Sequence, residues 1–203
     1  SSWELFESNS YLVPKKTTRK GNCMSKKIIT ALALVVIFLT PNGASASSHA
    51  KSLQNLGIEE IMFAQMMIPH HKQAIVMSET ALKKSRNQEI LKLSRQINSL
   101  QSSEVSQLTY WLKATGSSMT MDHDMSMSGM LTVKELASLK RLTGTQFDRT
   151  FLQLMIKHHQ GALEMLDLIS DSKNAEAKAL AKAIKSAQSK EITSMKLLLN
   201  KLK

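Results

Sequence analysis

Apolar residues recur at spacings of three and four between residues 58 and 114 and again between 145 and 203, the period of amphipathic helices. This pattern predicts long helices at about 58–84, 88–114, 145–171 and 175–201. Asn87 and Asn174 stand where the second helix of each pair needs an N-cap. A shorter helix at about 133–142 opens with a Thr132-x-x-Glu135 capping box, and 115–131 reads as a loop.

The two halves repeat each other. At an offset of 88, Glu60, Phe63, Met67, Ile68, His70, His71, Ala74, Ile75, Met77 and Glu79 align with Asp148, Phe151, Met155, Ile156, His158, His159, Ala162, Leu163, Met165 and Asp167. The second helices align at an offset of 87, Asn87, Glu89, Ile97, Gln101 and Glu104 with Asn174, Glu176, Ile184, Gln188 and Glu191. Neither hairpin can bury its apolar stripe alone, so the expected fold is all-α, a four-helix bundle of two duplicated hairpins over residues 58–203. The connection is long enough to cross the bundle, which leaves a ferritin-like crossover and a plain up-and-down order both open.

Composition agrees with helices. Among 203 residues there are 7 glycines, 3 prolines, 1 cysteine and 13 methionines, with 27 Lys and Arg against 16 Asp and Glu. These counts disfavour a β-sandwich, a collagen-like chain or a disulfide scaffold. Residues 24–46 read as a secretory signal peptide: Met24, the basic Lys26 and Lys27, the apolar Ile28 to Leu39, then Ala44-Ser45-Ala46. That 12-residue stretch falls short of the roughly 20 that span a bilayer. Residues 1–23 carry no motif and 47–57 read as a linker. Cleavage after Ala46 would remove Cys23, six basic and two acidic residues, leaving a net charge of +7. A cysteine-free exported chain excludes thiol oxidoreduction and thiolate metal sites. Its lysines lie on helical segments without interleaved aromatics, which reads as solvated helix faces rather than nucleic-acid binding.

The chemistry lies in soft donors. Phe63, Met67, His70, Ala74, Met77 and Ala81 share one helix face, and Phe151, Met155, His158, Ala162, Met165 and Ile169 repeat it. His71 and His159 sit four residues beyond Met67 and Met155, so one turn offers a thioether and an imidazole together. Met67 and Met77 lie about 15 Å apart along the axis and cannot serve one ion. A single Met on such a stripe is packing and a single buried His a structural residue; a Met-x-x-His-His-x-x-Ala-x-x-Met pattern kept twice points to metal. Pro69 predicts a kink beside the first pair. The second-helix stripe Leu93, Ile97, Leu100, Glu104, Leu108 and Trp111 carries a carboxylate, as does its copy at Glu191. Two readings stay open for these: with Gln101 and Gln188 they orient the imidazoles, or they reach water at the stripe's edge. No His has Glu three residues before it, which disfavours a di-iron carboxylate oxidase.

Within the loop, Met119, Met121, His123, Met125, Met127 and Met130 alternate with small or acidic residues. Thioethers select Cu(I) or Ag(I), while imidazole and the carboxylates of Asp122 and Asp124 suit Cu(II). The bland alternative is a partner-docking loop or a linker.

The doubled motif, above all Met67-Ile68-Pro69-His70-His71, resembles the signature of the domain-of-unknown-function 305 family, which includes exported CopM-like copper-binding proteins. The resemblance covers most of 58–203. It implies a ferritin-like bundle without di-iron ligands, holding copper through Met67, His70, His71 and Met77 and through Met155, His158, His159 and Met165. Lys157 stands where the first copy has proline. The expected function is therefore copper buffering, delivery or tolerance in the periplasm or outside the cell, by binding rather than catalysis. Silver is the expected surrogate, and a copper exporter or another envelope copper protein the expected partner. The competing readings are a metal-dependent redox enzyme and a structural bundle that docks an envelope partner.

Overall fold

The computed structural model describes residues 55–121 and 127–202. The predicted signal peptide lies outside the described residues, as do Asp122, His123, Asp124 and Met125. Among the described residues five α-helices follow one another: α1 (Ile58–Lys84), α2 (Gln88–Ala114), α3 (Val133–Arg141), α4 (Gly144–Met165) and α5 (Ala175–Lys201). The helix expected to reach 171 ends at Met165, and Leu166–Leu168 continue as a 3-10 turn. The sequence beyond it, Ser170-Asp171-Ser172, favours bonds to its own backbone over helix, and the Ser172 hydroxyl bonds both the Asn174 amide and Glu60. α1 runs unbroken through Pro69.

The two hairpin turns are built alike. Asn87 Oδ1 accepts from the amides of Glu89 and Ile90 at 2.9 and 3.3 Å, and Asn174 Oδ1 from those of Glu176 and Ala177 at 3.0 and 3.1 Å. Each cap satisfies orphan donors of its helix start. α3 begins with the predicted capping box, Thr132 Oγ1 accepting from Glu135 N while Glu135 Oε2 accepts from Thr132 N.

Packing settles the topology. One apolar cluster joins Phe63 and Met67 of α1, Leu108 and Trp111 of α2, Ala162 and Met165 of α4, and Leu180 and Ile184 of α5. The other joins Met77 and Ala81, Ile90 and Ile97, Phe147, Phe151 and Met155, and Met195 and Leu198. The start of α1 therefore meets the end of α4, and the end of α2 meets the start of α5. The order is up, down, down, up, so the connection must cross the bundle's length, as in ferritin-like folds. It climbs along α1: Gln65 donates to the Ser118 and Thr120 carbonyls, Gln73 exchanges two bonds with the Leu131 backbone, and Lys84 reaches the Leu142 carbonyl. The two hairpins are related by a pseudo-two-fold axis across the bundle.

Between the two apolar clusters every long helix inserts polar residues: His70 and His71, Gln101 and Glu104, His158 and His159, Gln188 and Glu191. They form one polar layer at mid-height. Leu100, expected in the core stripe, is 38% exposed instead. α2 and α5 pack loosely against each other and leave a groove that Leu100 lines. Among the described residues no helix is long and apolar enough to cross a membrane.

Candidate metal centre

His70 and His158 meet across the pseudo-two-fold axis, ring centroids 3.7 Å apart and planes 35° apart, with almost no solvent exposure. In both copies the adjacent ring keeps the same relation, 6.4 Å and 58° for His70 and His71, 6.3 Å and 55° for His158 and His159. Four imidazoles thus share the layer's centre. Burial, reinforced by His71 and His159 nearby, lowers the His70 pKa from 6.5 to about 3, against the opposing bond to Ser128. Burial likewise holds His158 well below the usual histidine range, with His70 as the next largest cause. Two rings this close cannot both carry charge in a desolvated layer, so both are neutral.

A neutral His70 with Nε2 3.1 Å from the Ser128 carbonyl donates there, which leaves Nδ1 as a lone pair. That Nδ1 has no hydrogen-bond partner, and neither ring nitrogen of His158 makes a well-formed bond. The outer pair face carboxylates. His159 Nε2 lies 2.8 Å from Glu191 Oε2 in a hydrogen bond, and His71 Nε2 lies 2.9 Å from Glu104 Oε2, a contact too bent to count as one. Of the two readings open for these glutamates, the contacts agree with orientation of the imidazoles; Glu104 is buried, whereas Glu191 keeps 13% of its side chain exposed. Both polar atoms of Gln101 and of Gln188 are buried without partners.

Each unpartnered buried polar group costs about 1–3 kcal/mol. A core that carries several in one layer is spending stability on donor atoms, and imidazole nitrogens and amide oxygens are atoms that an ion can satisfy. The layer supplies donors in pairs rather than a closed cage: among the described residues no three His, Cys, Asp or Glu side chains stand together as a metal-holding group. The thioethers nearest in sequence, Met67 and Met155, stand one helical turn before the histidine pairs, and thioethers suit soft ions.

The methionines are distributed in a way that helix spacing alone does not reveal. Met67 shares its apolar cluster with Met165, and Met77 shares the other with Met155, so each pair comes from both copies. Met67 and Met155 precede their histidine pairs by one turn, while Met77 and Met165 lie about 10 Å further along the axis from His70 and His158. In the connection, Met119 is exposed, and Met121 and Met127 pack against the α1-start cluster. Met130 is half-buried, its amide bonded to the Met127 carbonyl. Met127 adjoins Ser128, so the sulfur-rich segment touches the His70 ring through its own backbone.

Sequence reasoning missed the residues that attach this segment. A Cβ at Gly161 of α4 would stand 2.1 Å from the Ser128 carbonyl oxygen, and one at Gly129, whose φ is +76°, would stand 2.8 Å from the Lys157 carbonyl oxygen. Ser128 also bonds Glu164 of α4. The connection is thereby seated on both α1 and α4 and closes that side of the layer. A glycine in the middle of a helix was the available signal, since it marks close approach of another backbone.

The neutral rings predict a pH dependence for the metal-free protein. The unfolded chain binds protons to these histidines near pH 6.5 and the folded one takes His70's only near pH 3. The unfolded state therefore holds more protons between those values, and stability is fully present above the unfolded pKa and falls as pH drops below it, by up to about 1.4 kcal/mol per unit per histidine. Urea midpoints measured near pH 7 and near pH 5 check this. The expected result is a lower midpoint at the acid value, and equal midpoints count against neutral imidazoles.

Residues 60–199 match the family described as Domain of unknown function (DUF305). Among solved structures, a candidate secreted DUF305 protein from Streptomyces coelicolor is 28% identical, with 71% of this chain and 93% of that one covered and a TM-score of 0.68. A DUF305 fragment from Deinococcus radiodurans is 31% identical over 71% and 97%, with a TM-score of 0.66. CopM in its Cu(I)-bound form is 31% identical over 70% and 96%, with a TM-score of 0.60, and CopM is also solved bound to Cu(II) and to silver. None of the curated proteins matches this sequence significantly.

Proposed function

The chain belongs to the DUF305 family, and from that premise we propose that it binds copper outside the cytoplasm, holding and passing on the ion rather than turning over a substrate. The observation that carries this reading is the buried layer of four imidazoles, two of them neutral, whose ring nitrogens lack partners. The similarity to CopM, solved with Cu(I), Cu(II) and silver, supports the choice of ion. Imidazole with thioether and no thiolate is a donor set for copper in an oxidising compartment. Met67, His70, His71 and Met77, with Met155, His158, His159 and Met165, supply the bundle's donors. Met119, Met121, His123, Met125, Met127 and Met130 supply a capture segment beside it, and Cu(I) is the form that segment prefers. The cargo serves copper buffering, delivery or tolerance, with a copper exporter or another envelope copper protein as the recipient.

Titration with Cu(I), Cu(II) and Ag(I) tests the reading on three proteins: wild type, a variant with both His pairs changed to Ala, and a variant with the five loop methionines changed to Leu and His123 to Ala. Losing the partner that orients a metal-bound histidine weakens binding roughly 10- to 100-fold. Losing the ligands is expected to exceed that in the histidine variant. The loop variant is expected to keep the bundle's tight binding and bind fewer Cu(I) ions. Unchanged uptake in both variants overturns the assignment.

A further inference from the structure

The polar layer is closed toward α1 and α4 by the connection; on the opposite side, where Gln101 and Gln188 are buried, it meets the surface at Glu191, whose side chain is 13% exposed. A groove of about 790 Å³ runs between α2 and α5, walled by small residues such as Ser99, Ala183 and Ala187. Glu191 also lines it, and the same carboxylate bonds His159 Nε2 at 2.8 Å. Glu191 thus touches both the groove and the imidazole layer. The cations among the lining residues, Arg95 and Lys190, are exposed.

We infer that this groove is the loading port, and that it receives copper as a small anionic complex rather than as a bare ion. The inference rests on the copper-binding reading above. Two cations at the walls repel a free metal ion and attract an anionic chelate, raising its local concentration. Within the groove the ion exchanges the chelate's donor atoms for the Glu191 carboxylate, whose bond to His159 opens, and the emptied chelate returns to solvent. Copper keeps its oxidation state throughout. The port is built on one side only, because the other face of the layer lies beneath Ser128 and Gly129.

Transfer from the coloured Cu(I) bicinchoninate anion, followed by absorbance, tests the port against loading from the Cu(I) acetonitrile monocation; every protein compared, the wild-type port included, carries the loop changes described above, so that only the bundle takes up copper. Ala183→Trp fills the groove from an exposed position, and Ser102→Trp is the control at an exposed position of α2 that does not line it. Ala183→Trp is expected to slow transfer roughly tenfold or more while the final copper-to-protein ratio stays that of wild type, and Ser102→Trp to change neither. Glu191→Gln is expected to slow transfer from both donors. Arg95→Ala with Lys190→Ala is expected to slow transfer from the anion about tenfold and not from the monocation. Wild-type rates in Ala183→Trp, with full loading, overturn the port and leave copper binding standing. An equal effect of the Arg95 and Lys190 changes on both donors overturns the anionic carrier, and this measurement decides should Ala183→Trp lose its helical circular dichroism. A protein with the wild-type port that loads from neither donor overturns copper binding by the bundle and the port together.

Discussion

Replacing His158 with leucine is expected to stabilise the metal-free protein while abolishing the copper binding proposed above. Both ring nitrogens of His158 are buried without a well-formed hydrogen bond, so the substitution strands no partner. Each such group costs about 1–3 kcal/mol, whereas a hydrophobic swap of similar volume costs less than about 1.5 kcal/mol in repacking. The balance favours leucine by about 1–3 kcal/mol, and it also removes a ring that faces His70 at 3.7 Å. The gain should be largest below about pH 6.5, where the wild type alone must hold a depressed histidine neutral. Urea unfolding of the metal-free variant and a Cu(I) titration of the same sample check both halves. A destabilised variant would mean that the imidazole earns its place structurally, and the argument from unpartnered nitrogens would then fail.

The second large effect is expected at Gly161. In an exposed helix, glycine to alanine stabilises by about 1 kcal/mol. Here the added carbon would meet Ser128 O at 2.1 Å, Ser128 C at 2.3 Å and Gly129 N at 2.5 Å, all backbone atoms that no rotamer change can move. The connection has to lift, which costs the Ser128 contact to His70 along with the packing. Overpacking of this kind costs about 1–3 kcal/mol before lost contacts are counted, so the sign reverses to a net loss of about 1–2 kcal/mol. The measurement is the urea midpoint of Gly161→Ala, paired with limited proteolysis, which should cut between residues 115 and 131 faster than in wild type. A stabilised Gly161→Ala with unchanged cleavage would show that the segment does not sit on α4 as described.

These two residues also mark what could be read from the amino acids and what could not. Helix existence and most helix ends were legible because the information is local: a three-four apolar period, Asn87 and Asn174 as caps, and Thr132 with Glu135 as a box. The histidine pairs and the stripe around them were legible for the same reason, strengthened by the repeat. The direction of α4 against α1 was not, because it depends on the path of the connection. That path is held by Gln73 on the Leu131 backbone and by Gly161 under Ser128, contacts more than thirty residues apart in sequence. Gln73 and Gly161 occupy equivalent positions of the two copies, so the repeat hid them by differing there. The meeting of His70 with His158 follows from that direction and was equally out of reach. Leu100 misled because a stripe position is buried only where the facing helix comes close, and α5 does not.

The pseudo-two-fold axis running between His70 and His158 has an evolutionary corollary. Two separate hairpins pairing in this manner would form a homodimer, in which any substitution strikes both halves at once and the grip on either side stays equal. Tandem fusion lifts that constraint. Pro69 against Lys157, and Gln73 against Gly161, record that the halves have already parted. Unequal affinity within the proposed centre, a firm half and a yielding half, is therefore open to this chain through single substitutions, an avenue closed to such a homodimer.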